Sequence, residues 1–226
     1  MGVIISLRER ENLSWFKRFV FLILNHGGID EVFICSGYFQ EKHMKFHPEY
    51  EATKEEHFGK TLAKKLSEIK TVTLVGAKAK ADTSDEFSKA WFESYKNFHN
   101  ALKAERDSKS GLSAYIDKNG NWHAKEFIAL KNGKVVAGVI GSSNFTRLAF
   151  GENQGYFNEE ADVMLYDSSL DKEVDIWHKD FVEPMQDPFL LKIPSSRSRK
   201  SDVINLQQQY NKIKKLLQEA NLEPLK

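Results

Sequence analysis

Residues 122–146 read Trp-His-Ala-Lys-Glu-Phe-Ile-Ala-Leu-Lys-Asn-Gly-Lys-Val-Val-Ala-Gly-Val-Ile-Gly-Ser-Ser-Asn-Phe-Thr. Two apolar runs flank Asn132-Gly133, the dipeptide best suited to the left-handed backbone of a two-residue hairpin turn. The stretch predicts a strand over Trp122–Leu130, the turn, and a returning strand over Lys134–Ile140. Residues two apart on a strand share a face. His123 and Lys125 therefore set an imidazole beside an ammonium, and the return strand delivers Ser142 and Asn144 near its end. One titratable nitrogen, one fixed cation and two neutral hydrogen-bonding groups suit a phosphoryl group with a nucleophile beside it.

Outward from the hairpin, Asn158-Glu159-Glu160-Ala161 leads into a further strand, Asp162 to Tyr166. Upstream, Leu13, Phe16, Val20 and Leu24 recur at helical spacing over residues 12–26, closed by Gly27-Gly28. Glu31 to Ser36 reads as a buried strand, Phe58 to Ile69 as a helix and Thr71 to Val75 as a second buried strand. That order predicts a parallel pair joined by a crossover. Gln40 to Glu56 and Ala79 to Glu86 read as polar connections. Phe87 to Glu105 is an amphipathic helix whose stripe of Trp91, Tyr95, Phe98 and Leu102 is read as core. Leu112 to Ile116 is a short strand. The fold class expected is α/β, a mixed sheet flanked by helices. Residues 1–190 are taken as the catalytic domain, 191–200 as a Pro/Ser/Arg-rich linker and 201–226 as a C-terminal helix, capped by Ser201. Along that helix Val203, Leu206, Tyr210, Ile213, Leu217 and Ala220 form a narrow apolar seam. It serves either for docking on the core or for pairing with another helix.

The chain has 226 residues, 41% hydrophobic and 29% charged, with a formal net charge of +1. Such a balance fits a soluble globular domain and excludes a uniformly basic coat, so any nucleic-acid contact must be a local patch. Cys35 is the only cysteine. It lies in an apolar run, reads as a small buried hydrophobe, and rules out an intrachain disulfide. No Cys/His spacing fits a zinc site. The longest apolar run, Phe19 to Leu24, is too short to span a bilayer, and Met1 to Glu11 carries no cleavage pattern. A cytoplasmic location is expected.

His-x-Lys, a strand pair, Gly141-Ser142-x-Asn144 and then Asn158-x-Glu160-Ala161 together resemble the signature of the phospholipase D superfamily. His-x-Lys alone is unspecific. A second copy, His43-Met44-Lys45, has no Gly-Ser-x-Asn after it and is read as coincidence. The resemblance implies that His123 is the nucleophile, forming a phosphohistidine. Lys125 and Asn144 would hold the non-bridging oxygens, Ser142 would add a hydrogen bond, and Glu160 would orient the histidine ring. Glu159 is the neighbouring candidate, but strand alternation turns it the other way. In this family a second histidine protonates the leaving oxygen. A short chain with one motif copy is then expected to act as a homodimer with a composite site. Lysine would do the electrostatic work of a metal, so neither metal nor cofactor is expected. One departure stands out: the family pattern has Asp five residues after the lysine, where this chain has Leu130.

That departure favours a divergent nuclease branch, an endonuclease cleaving DNA, over a phospholipase. The chain would then be a non-specific nuclease or the catalytic unit of a restriction endonuclease, the latter acting with a separate target-recognition domain or subunit. Candidate phosphate contacts are Arg147 and the cluster Arg197, Arg199 and Lys200. Two alternatives remain open. One is a hydrolase of phospholipids or other small phosphodiesters, with Trp15, Trp91, Trp122 and Trp177 lining a groove. The other is a binding module with a degenerate site.

Overall fold

The computed structural model describes residues 2–8, 13–39, 62–76, 86–107, 110–117, 124–146, 149–151, 159–185, 190–193, 207–208, 210–211, 214–215, 218 and 222–225, with the side chains of 86–88 excepted. Its frame is one mixed sheet. In chain order the strands are β1 (Gly2–Leu7), β2 (Glu31–Ser36), β3 (Thr71–Gly76), β4 (Gly111–Asp117), β5 (Glu126–Lys131), β6 (Lys134–Gly141), β7 (Ala161–Tyr166), β8 (Leu190–Ile193) and β9 (Leu222–Pro224). They lie side by side in the order β8-β1-β7-β6-β5-β2-β3-β4-β9. β2, β3 and β4 run parallel, and the remaining neighbours are antiparallel. The helices are α1 (Trp15–Asn25), α2 (Leu62–Ser67), α3 (Glu86–Glu105) and α4 (Asp171–Trp177); α4 continues through a π turn over His178–Val182. This is the α/β architecture expected, with the predicted β2–α2–β3 crossover in place.

The local causes are those read from the sequence. Asn132 and Gly133 both take positive φ, 52° and 73°, so the β5–β6 turn is the left-handed kind that Asn-Gly favours. Ser14 caps α1 by accepting from Lys17 N at 2.9 Å, and its hydroxyl donates to Ala149 O. The α3 stripe is buried, and Trp91 Nε1 donates to Gly37 O at 2.8 Å. Trp15 and Trp177 are buried too, which withdraws three of the four tryptophans from any lipid groove; Trp122 lies outside the described residues. Cys35 is fully buried, as its apolar context predicts.

All four helices pack into one large apolar cluster on one face of the sheet. The opposite face holds a smaller cluster of Phe33, Cys35, Val75, Ile128, Leu130 and Val135, closed by Tyr210. Tyr210 belongs to the helical residues among 207–218; its hydroxyl donates to Glu31 Oε1 at 2.5 Å, and Gln207 Oε1 accepts from Val135 N at 2.9 Å. The C-terminal helix thus docks on the core. The other seam residues, Val203, Leu206, Ile213, Leu217 and Ala220, lie outside the described residues.

Three expectations need correction. Among the described residues β5 starts at Glu126, so Ala124 and Lys125 precede the strand. After Gly141 the chain continues along β7, Ser142 N donating to Ala161 O at 3.0 Å, and the β5–β6 ladder ends on one bond from Gly141 N to Lys125 O at 3.2 Å. Residues 191–193, expected as linker, are part of β8, an apolar island that pairs with β1. Residues 222–224, expected as helix, form β9 at the opposite edge, where Pro224 is tolerated because an edge strand can spare a donor. The polar stretch 40–56 and the second His-x-Lys at His43 and Lys45 lie outside the described residues.

Candidate active site

Strand direction decides where the polar side chains collect. β1, β2 and β6 all end, and β5 and β7 both begin, at the same edge of the sheet. The register sets Lys125 opposite Gly141, whose N–H donates to Lys125 O at 3.2 Å. Gly141 is followed by Ser142, Ser143 and Asn144, and β7 is preceded by Glu159 and Glu160. Lys125, Ser142, Asn144 and Glu160, far apart in sequence, are therefore brought to one place.

Asn144 is held from two sides. Ser36, the last residue of β2, donates its hydroxyl to Tyr38 O at 2.7 Å, lies 3.3 Å from the Asn144 side-chain amide and accepts from Phe145 N at 3.0 Å. Phe145 is itself a buried anchor, its ring 5.3 Å from Phe16, 5.6 Å from Phe150 and 5.9 Å from Phe39. Such packing fixes the backbone at Asn144 before any substrate arrives, which is what an electrostatic site requires. The half-buried Asn144 and Lys125 stand at its rim.

The two serines divide by exposure. Ser142 is exposed, and its Oγ accepts from Ala161 N at 3.0 Å. Ser143 is the buried one. Its Oγ lies 2.5 Å from Glu160 Oε2 and 2.7 Å from Asp162 Oδ2, while its N–H donates to Asp162 Oδ1 at 3.3 Å. The alternation continues past the strand: Ser142 is exposed and Asn144 half-buried, while Ser143 and Phe145 are buried. Glu159 is exposed and Glu160 is 6% exposed. Arg8, 4% exposed at the end of β1, donates its N–H to Glu160 O at 2.8 Å. Asp162 is 3% exposed, and burial pushes its carboxyl up to about 6; the hydrogen bonds with Ser143 oppose the rise, the Glu160 charge adds to it and the Arg8 charge opposes it.

Ser143, Asp162, Arg8 and Ser36 were not singled out in the sequence. Asp162 was legible: it shares the phase of Glu160, Met164 and Tyr166, so the alternation that selects Glu160 over Glu159 also points Asp162 inward. Leu130, at the position of the family's Asp, is 1% exposed and sits in the smaller apolar cluster, where burial would penalise an ionised carboxylate. His123 and the candidate phosphate contacts Arg147, Arg197, Arg199 and Lys200 lie outside the described residues. Among the described residues no group of three His, Cys, Asp or Glu side chains is arranged to hold a metal ion. No helix among them is long and apolar enough to cross a membrane.

The family described as the NgoFVII restriction endonuclease N-terminal PLD domain, PLD standing for phospholipase D, matches residues 16–180. The chain belongs to this family. The matched interval contains Lys125, Ser142, Asn144 and Glu160 together with His123, and membership places the chain among the phosphodiester hydrolases, in the restriction-endonuclease branch. No curated protein sequence matches it significantly. Among solved structures it is similar to Nuc, a phospholipase D family member from Salmonella typhimurium, with 15% identity, 86% of this chain and 100% of that one covered, and a TM-score of 0.40. It is also similar to NucT from Helicobacter pylori, with 16% identity, 80% and 96% coverage, and a TM-score of 0.36. A third is phosphatidylserine synthase from Haemophilus influenzae Rd KW20, with 11% identity, 96% and 46% coverage, and a TM-score of 0.46.

Proposed function

We propose that the protein is an endonuclease that cleaves DNA without a metal, through a covalent phosphohistidine formed on His123. The observation that carries the reading is the convergence of Lys125, Asn144 and the Ser143–Glu160 pair at one edge of the sheet, two residues along the chain from His123. In this reading the His123 imidazole attacks phosphorus. Lys125 and Asn144 stabilise the charge that builds on the non-bridging oxygens, and Glu160 sets the imidazole's tautomer. The restriction-endonuclease family supports DNA as the substrate, and Arg147, Arg197, Arg199 and Lys200 are proposed phosphate contacts.

The chemistry needs a second histidine to protonate the leaving oxygen, and the chain carries one copy of the motif. We therefore propose a homodimer in which two copies of this chain build one site around a two-fold axis. Target recognition would come from a separate domain or subunit. The test is supercoiled-plasmid cleavage in excess EDTA, run beside phospholipid vesicles, with the sedimentation behaviour of the active species. Nicked or linear plasmid without divalent metal, no lipid hydrolysis and a dimer are expected. A strict magnesium requirement, or a fully active monomer, would overturn the mechanism.

A further inference from the structure

A serine hydroxyl has one proton to give. Ser143 Oγ nevertheless lies within hydrogen-bond distance of two carboxyl oxygens, 2.5 Å from Glu160 Oε2 and 2.7 Å from Asp162 Oδ2. If both carboxyls were ionised, one short contact would set two oxygens with lone pairs against each other in a site closed to water. The contacts are satisfied together when one carboxyl carries a proton and donates it to Ser143 Oγ.

The surroundings favour Asp162 as the bearer. It is the more deeply buried carboxyl, and Gly141 makes room for it: a Cβ at that position would stand 2.1 Å from Asp162 Oδ1. Asp162 Oδ1 is occupied as an acceptor by Ser143 N, which leaves Oδ2 to donate. Among the described residues the charged groups acting on it are Glu160, which opposes its ionisation, and Arg8, which favours it; α1, packed against this strand, adds none.

We infer that Asp162 is a positioning residue of the active site, working as a neutral acid: its Oδ2–H donates to Ser143 Oγ, whose own proton is thereby committed to Glu160 Oε2. The chain Asp162–Ser143–Glu160 holds the Glu160 carboxylate in one orientation. This deepens the nuclease reading, since it rests on Glu160 orienting the catalytic imidazole. It also gives the Gly141-Ser142-Ser143 turn a second task besides delivering Asn144. Ionisation of Asp162 would break the chain, because Ser143 cannot serve two carboxylates. A burial-raised carboxyl kept neutral so that it can donate is a known way to run such a site.

The substitution Asp162→Asn separates this from a merely structural role. A carboxamide can keep Oδ1 as acceptor and donate from Nδ2 in place of Oδ2–H, and it does not titrate. The expected result is that Asp162→Asn, unlike Asp162→Ala, retains activity at pH 5. The ratio of its kcat to the wild-type value should then rise several-fold as pH passes through about 6, where Asp162 ionises. Asp162→Ala and Ser143→Ala should both lose activity at every pH, with KM little changed. A ratio independent of pH, or an Asp162→Asn protein that is folded and inactive at pH 5, would overturn the inference. Carbon-13 NMR of aspartate-labelled wild type, assigned against Asp162→Asn, decides the proton's place independently. A carboxyl titrating near 6 is expected, and one titrating at or below the ordinary aspartate range overturns the inference. If wild type cleaved no diester at all, the nuclease reading would fail while the NMR titration still decided whether Asp162 holds the proton.

Discussion

At the turn end of the β5–β6 hairpin, Leu130 and Val135 are sealed under Tyr210 in a small apolar cluster. At the open end of the same hairpin, five residues back from Leu130 and six on from Val135, Lys125 and Gly141 meet beside Ser143, Asn144, Glu160 and Asp162. Both ends are well buried, but they are held by different forces. The turn end is stabilised by area removed from water, which is insensitive to direction. The open end is a set of buried polar groups, each of which needs a partner at the right angle and distance. The comparison predicts that substitutions at the open end cost rate, and substitutions at the turn end cost stability.

The largest effect should come from His123→Ala. Removal of a covalent nucleophile lowers kcat on the order of a millionfold in comparable hydrolases. Asn144→Ala should fall short of that, at roughly 100- to 1000-fold, the usual loss for one preorganised donor. Plasmid cleavage under single-turnover conditions, with circular dichroism to show that both variants are folded, checks the pair. Equal losses for the two would mean that His123 does not form the covalent bond.

The open end was the more legible in the sequence, and for a physical reason. Phosphoryl chemistry restricts residue type at each position, so His123, Lys125, Asn144 and Glu160 form a pattern that few sequences meet by chance. Most of the sheet was legible for a similar reason: β2 and β3 are continuous apolar runs, and Asn132-Gly133 demands its turn. β1 was missed because Gly2–Leu7 is a short strand at the chain start, with polar Ser6 turned inward. β8 and β9 pair with remote partners, β8 beside a stretch rich in Pro, Ser and Arg and β9 directly after a helical pattern, so neither carries a local strand signal. Ser143 is buried opposite the phase of Ser142 and Asn144, and its role depends on Glu160 and Asp162, which only the fold brings to it. The apolar turn end left Leu130 unexplained until its neighbours were seen, since any aliphatic side chain would serve there.

Leu130→Ala tests the turn end directly. Truncating a fully buried leucine costs about 2–5 kcal/mol through lost burial and the cavity left behind. Denaturant unfolding should show that loss, while kcat per folded molecule stays within about twofold of wild type, because the small expected relaxation lies far from the reacting groups. A large loss of kcat in a folded Leu130→Ala protein would break the division between the two ends.

Asp162→Asn carries the comparison into pH dependence. The folded protein holds this carboxyl at about 6 against an ordinary 3.8. A raised carboxyl stabilises the fold fully below the unfolded value and loses that contribution as pH climbs through the folded one. Wild type should therefore lose up to about 3 kcal/mol between pH 4 and pH 7 on this account, and Asp162→Asn should not. Unfolding midpoints measured at both pH values give the difference; identical pH slopes would mean that Asp162 titrates normally.

The smallest effect is expected at the lid of the turn end. Tyr210→Phe keeps the ring over Leu130 and Val135 and removes only the hydroxyl that donates to Glu31 Oε1. Glu31 is half-buried, so water can take the vacated place, and the net cost should be about 0.5–1.5 kcal/mol. Burial and the Glu31 carboxylate both hold this phenol above its ordinary pKa, so the bond is intact throughout the neutral range. Because the helix docks on its own core, Tyr210→Phe should leave the sedimentation coefficient and the cleavage rate unchanged while lowering the unfolding midpoint slightly. A shift from dimer to monomer in this variant would instead assign the C-terminal helix to assembly, and the turn end would then share in building the site.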